Sequence, residues 1–426
     1  MSRVLDVIAP PRLGEAFRWN LASSWMGQLG DGIALAAGPL LVASQTRSPT
    51  LIASAAIVQR LPTLLLGLYA GALADRVDRR RLVLMANLLR VIVLAALVST
   101  IVTGRISITV LLLVLFAVGM AELFADSGWR TVLPMLVPKA DLGLANARQM
   151  SGFLVGNQMI GPAVGASLFA LGTAVPFGVQ ATALLLSAGL FAKVRLPATP
   201  GPGARAEQHI GHDIADGLRW IAGNAPIRTL TLVILIFNIT WGAPWGVLVY
   251  WAQERLGADD VGFGLLTTAS AVGGMAAVLS YGRLEARVPL ARLMKACLAL
   301  EVLTHLALAL TTALWVALGI MVVFGGYAFV WGSLSSAVRQ RATPDRYQGR
   351  VGSVYWLGLV VGLLVGQFLG GVIAERFGAA APFWFAFAGS GITLVAVWRQ
   401  LDHIAHADEA TDEDGASDED EAGVAG

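Results

Sequence analysis

Twelve apolar stretches of about 20 residues, separated by short polar connections, constrain this chain more than any other feature. They run at 19–44, 51–73, 83–102, 107–129, 147–172, 175–193, 228–252, 261–282, 291–312, 314–336, 351–374 and 380–400. At about 1.5 Å per helical residue each crosses a hydrocarbon layer ~30 Å thick, where backbone polar groups must be satisfied within the helix. The expected fold is an all-α membrane protein with twelve transmembrane helices. Only 14% of the residues are charged and 56% are hydrophobic, whereas soluble domains carry roughly 25% charged residues. A soluble globule is thereby excluded. The single cysteine, Cys297, lies in an apolar run and rules out an intrachain disulfide. No short apolar run ending in a small-residue cleavage site precedes the first span, which is expected to act as its own insertion signal.

The connections set the topology. Of 30 Lys and Arg residues, Arg47, Arg105, Arg255 and Arg376 lie in odd-numbered connections and Arg60 and Arg90 inside spans. The others flank the N-terminus, the even-numbered connections and the C-terminal end, so the positive-inside rule places both termini in the cytoplasm, in a cell (inner) membrane. After Arg195 the run Pro197-Ala-Thr-Pro-Gly-Pro-Gly203 reads as a linker. Ile210 to Asn224, with Ile214, Leu218 and Ile221 on one face, reads as a short amphipathic helix. The expected organisation is an N-terminal segment 1–18, a six-helix bundle 19–193, a linker 194–227, a second six-helix bundle 228–400 and a tail 401–426. From Asp402 onward the tail holds ten acidic residues and no Lys or Arg, a disordered composition. The total charge of +2 therefore hides a basic face beside the membrane, read as topology and lipid contact with no nucleic-acid partner.

Between the second and third spans six charges fall within seven residues, in Gly71-Ala-Leu-Ala-Asp75-Arg76-Val-Asp78-Arg79-Arg80-Arg81. This pattern resembles motif A of the major facilitator superfamily, with Asp78 where that motif usually has glycine. The resemblance implies two pseudo-symmetric six-helix bundles and a gating role for Gly71, Asp75, Arg76, Arg79 and Arg80. The chain also repeats itself: Gly282-Arg-Leu-Glu-Ala-Arg287-Val288 aligns with Gly71 to Val77, without the acid at the position of Asp75. Such half-length symmetry accompanies substrate sites near the midplane between two bundles. Gly161, Pro162 and Gly165 resemble the core of the superfamily's antiporter signature, incomplete here at Ala166. Gly358, Gly362, Gly366 and Gly370 form a second small-residue stripe that lets helices approach closely.

Charges inside spans are costly and need a partner or a function. By helical rise Asp31 lies about 18 Å from the cytoplasmic end of the first span and Arg60 about 13 Å from the outer end of the second, nearly the same depth. Arg90 and Glu122 each lie about 12 Å from the cytoplasmic ends of the third and fourth. Asp31 with Arg60, and Arg90 with Glu122, are the expected pairs. Glu122, Asp126 and Arg130 follow i, i+4, i+8 spacing, and two carboxylates so close in low dielectric favour sharing one proton. Asp31, Glu122 and Asp126 are the proton-coupling candidates, with static charge compensation as the alternative. Glu301 and His305 read as a polar packing contact. In the superfamily the first, fourth, seventh and tenth spans line a central cavity, which makes Gln28, Asn238, Trp241, Trp245, Tyr327 and Trp331 substrate-cavity candidates. Aromatic walls with few polar groups suit a bulky amphipathic ligand.

Gly30-Asp31-Gly32-Ile33, Gly38-Pro39-Leu40-Leu41, Glu122 with Asp126, Leu133-Pro134, Ala145-Asn146 and Gly349-Arg350-Val351-Gly352 narrow the resemblance. They look like the branch of macrolide-efflux, tetracycline-efflux-like and siderophore-exporting proteins. The implied activity is proton-driven export of small organic molecules by a monomer without cofactor or metal. The alternatives are a dedicated siderophore or secondary-metabolite exporter and a non-transporting membrane sensor. No phosphate-cradling Gly-x-x-x-x-Gly-Lys-Ser/Thr run or metalloprotease motif is present, so an enzyme reading has no support. If Asp75 holds the cytoplasmic gate, Asp75→Asn abolishes flux and leaves membrane abundance intact; normal flux in that variant would refute the role.

Overall fold

The computed structural model describes residues 10–196, 210–344 and 347–401. The parts of the expected N-terminal segment, linker and acidic tail at 1–9, 197–209 and 402–426 lie outside the described residues. The helices are α1 (Glu15–Gln45), α2 (Pro49–Arg76), α3 (Arg79–Val102), α4 (Ile108–Leu136), α5 (Leu142–Gly152), α6 (Gly161–Leu171), α7 (Val175–Phe191) and α8 (Ile210–Gly223). They continue as α9 (Ala225–Gly246), α10 (Leu248–Leu256), α11 (Asp260–Arg287), α12 (Leu290–Leu310), α13 (Leu314–Arg341), α14 (Gln348–Phe377) and α15 (Ala381–Val397).

Among the described residues ten helical segments are long and apolar enough to cross a membrane, and α7 and α15 are two shorter apolar helices of 17 residues each. Seventeen residues rise about 26 Å, close to the hydrocarbon thickness. Together they account for the twelve expected spans. Large apolar side chains such as Met85, Ile92, Leu279 and Val395 stand exposed along these helices, as lipid contact requires.

Two spans depart from simple helices. The fifth runs through α5, a π-helical stretch Phe153–Ile160 and α6. Pro162 has no N–H to give, and the N–H of Gly161 reaches five residues back to the carbonyl of Gly156. The seventh breaks between α9 and α10 at Val247, three residues after Pro244. Its expected extent 228–252 is therefore two helices, with Gly246 seated on Gln367.

The chain packs as two compact units. One holds the described residues of Met1–Ala206, Val247–Ala271 and Thr312–Leu318; the other holds those of Glu207–Gly246, Val272–Thr311 and Gly319–Gly426. In the first, α1 lies on α7 through a reciprocal pair of hydrogen bonds. The Ser23 hydroxyl donates to the Ser187 carbonyl at 2.7 Å and the Ser187 hydroxyl to the Ser23 carbonyl at 2.9 Å. α1 also crosses the fifth span at glycines, since a Cβ on Gly32 would stand 2.6 Å from the carbonyls of Gly156 and Asn157. The start of α11 belongs to this unit as well: the Thr268 hydroxyl donates to the Met159 carbonyl in the π stretch at 3.0 Å.

In the second unit α9 and α14 touch backbone to backbone. A Cβ on Gly242 would meet the Leu363 carbonyl at 2.6 Å, and one on Gly370 would lie 2.6 Å from Ala243 Cα and collide with its carbonyl oxygen. The amphipathic helix α8 docks here too. Trp220 stacks on Tyr347 at 5.5 Å, Ile221 joins Ile227, Ala342, Val351 and Val354, and Asp216 pairs with Arg350 at 3.4 Å.

Gly370→Ala should lower stability in detergent by roughly 1–3 kcal/mol through overpacking. Gly358, on the same stripe, has nothing within 4 Å of a new Cβ, so Gly358→Ala is the control and should be neutral. Equal melting temperatures for the two variants would show that α9 and α14 do not meet through the stripe.

Candidate functional site

A buried ion pair lies in the first unit. Arg90 on α3 is 5% exposed and ion-pairs with Asp31 on α1, which is 20% exposed. This corrects the depth-matched pairing of Asp31 with Arg60. Depth along a span fixes one coordinate only, and the face on which Arg60 stands leaves it exposed on α2. Glu122 on α4 is half-buried, and the charges of Glu122 and Asp126 both act on Arg90. Arg60 enters the same field through Glu122. Asp126, one turn further along α4, is exposed, and the Arg130 side chain lies outside the described residues.

Local sequence explains how Asp31 reaches this position. It sits between Gly30, whose missing side chain admits Ala183 of α7, and Gly32, which admits the fifth span. Gly161 and Gly165 occupy the other side of that crossing, where a Cβ on Gly161 would stand 2.5 Å from Gly32 Cα. Of the antiporter-like residues, Gly161 and Gly165 thus hold the backbone beside Asp31, whereas the Pro162 carbonyl faces Gly264 of α11. Gln28, one turn before Asp31 on α1, is half-buried.

The charged connection between α2 and α3 has a clear local logic. The Asp78 carboxylate caps α3, accepting from the N–H of Arg81 at 3.0 Å. It offsets the unfavourable placement of three arginines, Arg79 to Arg81, at the positive end of a helix dipole. Arg79 donates to the Met135 sulfur at 2.9 Å and Arg80 to the Ala192 carbonyl, so this connection is tied to the ends of α4 and α7. Gly71, Asp75 and Arg76 fall in the last turns of α2, and their side chains lie outside the described residues.

A second group of candidates assembles in the second unit. The Trp241 ring stacks on Phe324 at 4.0 Å and meets Trp245 at 4.8 Å, and Phe324 makes an edge contact with Tyr327 at 5.6 Å. Beneath them the Tyr327 hydroxyl donates to Glu301 Oε2 at 2.7 Å, and His305 Nε2 lies 3.0 Å from Glu301 Oε1. Asn238 does not join this wall. Its amide donates to the Ile234 carbonyl of its own helix at 2.7 Å, and its Cβ would lie 2.9 Å from a side chain on Gly362 of α14. Trp331 is half-buried on α13, one turn beyond Tyr327. Phe324 went unnoticed in the sequence because one more phenylalanine in an apolar span carries no signal of its own.

Residues 7–420 match the family model described as transmembrane secretion effector, of the major facilitator type. The chain belongs to this major facilitator family. It is 28% identical over 369 residues to the multidrug efflux pump Tap of Mycolicibacterium fortuitum, covering 83% of this chain and 88% of that protein. It is 27% identical over 377 residues to Tap of Mycobacterium tuberculosis, covering 85% and 88%. Among solved structures, a bacterial homologue of the iron transporter ferroportin superposes with a TM-score of 0.73 at 16% identity, over 91% of this chain and 98% of that one. The nucleoside transporter NupG superposes with a TM-score of 0.69 at 13% identity, over 92% and 99%. At such identities the two structures speak for the major facilitator fold alone. As a member of this superfamily the protein is a multi-pass membrane transporter of small molecules and not an enzyme.

In a major facilitator span a buried ion pair is held by geometry rather than by net energy, and losing one partner costs more than losing both. Arg90→Ala and Asp31→Ala should each destabilise the detergent-solubilised protein by about 3–5 kcal/mol, with much of the loss recovered in the double variant. Arg60→Ala should cost far less. Additive losses for Asp31 and Arg90 in thermal unfolding would contradict the pairing.

Proposed function

We propose that the protein exports bulky amphipathic small molecules across the cell membrane in exchange for protons, acting as a monomer with both termini cytoplasmic. The observation that carries this reading is the group of membrane-embedded charges around Arg90, with Asp31 paired to it and Glu122 and Asp126 in its field. Three carboxylates around one guanidinium leave surplus negative charge in low dielectric, and each proton taken up reduces that surplus. Glu122 and Asp126, one turn apart on α4, are the groups assigned to take the proton up and release it. Arg90 holds Asp31 in place and sets the field in which the other two titrate.

Two further observations support export of this cargo class. The relatives along most of the chain are named multidrug efflux pumps. The stacked Trp241, Phe324 and Trp245 present apolar ring faces, with Tyr327 at their edge, and such a surface accepts varied flat organic bodies without demanding one hydrogen-bonding pattern. The gating role of Gly71, Asp75, Arg76, Arg79 and Arg80 rests on the motif and on the ties that Arg79 and Arg80 make to α4 and α7. The surplus of Lys and Arg in the N-terminus and even-numbered connections supports cytoplasmic termini.

Flux of a fluorescent amphipathic drug into inverted vesicles, with and without an imposed proton gradient, tests the proposal. Accumulation should require the gradient. Glu122→Gln and Asp126→Asn should keep drug binding and lose gradient-driven accumulation, because binding does not need the exchanged proton. Gradient-independent flux would overturn proton coupling, and accumulation in both variants would place the exchanged proton elsewhere.

A further inference from the structure

The second unit holds an ionisable cluster that the charges around Arg90 do not explain. Glu301 is 8% exposed, His305 is fully buried and Tyr327 is 6% exposed. The carboxylate uses both oxygens, Oε2 accepting from Tyr327 and Oε1 lying at hydrogen-bond distance from His305 Nε2. The other ring nitrogen, His305 Nδ1, is buried with no hydrogen-bond partner. A buried carboxylate normally finds an arginine or lysine. Among the described residues the surrounding helices offer none within hydrogen-bond reach of Glu301.

On α12 itself the other titratable groups are Cys297, one turn before Glu301, and Arg292 and Lys295 near the helix start, where Lys295 lies over the Trp398 ring at 5.1 Å. α13 contributes Tyr327, with Arg339 and Arg341 in its last turn. α15, which packs on α12 at Gly391 and Val302, carries no ionisable residue, and α9 carries only Arg228 in its first turn. α11, which packs on α13 at Gly273, has ionisable groups only at its two ends. If the ring gives its Nε2–H to an ionised Glu301, Nδ1 stays bare and the pair holds one uncompensated negative charge in an apolar surround. One proton, on Nδ1 or on the carboxylate, makes it neutral, and that proton belongs to the pair rather than to either residue.

We infer that Glu301, His305 and Tyr327 form a proton-binding centre in the second unit, distinct from the charges around Arg90. Its place in the repeat supports this. The offset that carries Gly71 onto Gly282 carries Arg90 onto Glu301, so both halves put a buried ionisable residue at the aligned position of corresponding helices, a base in α3 and an acid in α12. The centre also has a built-in reporter, because the His305 ring lies 6.1 Å from that of Trp241, and an imidazolium quenches indole emission more strongly than a neutral imidazole.

The inference does not depend on the direction or energy source of transport and is tested on the purified full chain in lipid nanodiscs. Proton uptake is counted, and tryptophan emission followed, as the pH is lowered from about 9 to about 5, the range that brackets an ordinary histidine. Wild type should take up one proton more than Glu301→Gln, and Trp241→Phe should remove the pH-dependent part of the emission. The same proton should persist in Glu122→Gln, which separates this centre from the proposed coupling site. Tyr327→Phe keeps the ring and deletes one donor to the carboxylate, so it should move the pH at which the proton is bound. Equal uptake by wild type and Glu301→Gln would overturn the inference. If Glu301→Gln does not fold, an unchanged midpoint in Tyr327→Phe would overturn it instead.

Discussion

A charge that enters a lipid-facing helix bundle must be neutralised there, and the pairing of Arg90 with Asp31 is where the first unit meets that demand. The pair spans two helices distant in sequence, and its geometry requires α1 to lie deep among its neighbours. That depth comes from residues with almost no side chain. Gly30 lets α7 approach and Gly32 lets the fifth span approach, with Asp31 between them. The small residues and the charge are one device, since bulkier neighbours would push α1 outward and leave a guanidinium in the membrane without its partner.

The fifth span carries the other part of that device. A run with Pro162 in its middle cannot keep regular α-helical hydrogen bonding, and the chain answers with the π stretch Phe153–Ile160. The wider turn exposes the Met159 carbonyl to the Thr268 hydroxyl and keeps the Gly156 and Asn157 carbonyls within reach of α1. The glycine-proline signature thus serves backbone contact on two sides, with α1 and with the start of α11. Packing is enough to account for Gly161 and Gly165, and the neighbouring Asp31 is the reason such packing bears on transport.

The spans were legible because length and hydropathy are one-dimensional properties that a membrane reads directly. Helices reach a turn or so beyond several of the expected limits, as at Arg79 for α3 and Arg287 for α11, where charged turns continue the helix outside the hydrocarbon layer. A helix stands before the seventh span where the spacing of Ile214, Leu218 and Ile221 led one to expect it, but of that expected face Ile221 is buried and Leu218 is exposed. Partnerships were not legible. Asp31 and Arg60 share a depth but not a face, and azimuth follows from packing, which no single segment encodes. Asn238 shares a helical stripe with Trp241 and Trp245, yet its amide returns to its own backbone because α14 closes on that side through Gly362. Asp78 illustrates the converse case. Its departure from the motif's glycine looked like an added charge and is a helix cap, a role that any residue with a short acceptor fills at that position.

The internal repeat separates what the fold needs from what the transported species needs. Backbone contacts recur in both halves, at Gly32 with the fifth span and at Gly242 with α14, because close helix crossings are a condition of assembly wherever they occur. Capping does not recur: the residue that aligns with Asp78 is Pro289, which starts α12 without a side-chain hydrogen bond. The buried charge recurs in position and reverses in sign, from Arg90 with an acid beside it to Glu301 with a histidine and a tyrosine beside it. An arginine stays charged at every accessible pH, so the first position is a permanent anchor around which carboxylates are arranged. The second position holds instead a glutamate whose two oxygens face a histidine and a tyrosine, with no permanent counter-charge in that contact. A duplicated scaffold thus carries, at aligned positions of two corresponding helices, an arginine that gathers acids in one half and a glutamate held by a histidine and a tyrosine in the other, so the repeat preserves the place of a buried ionisable group while changing its chemistry.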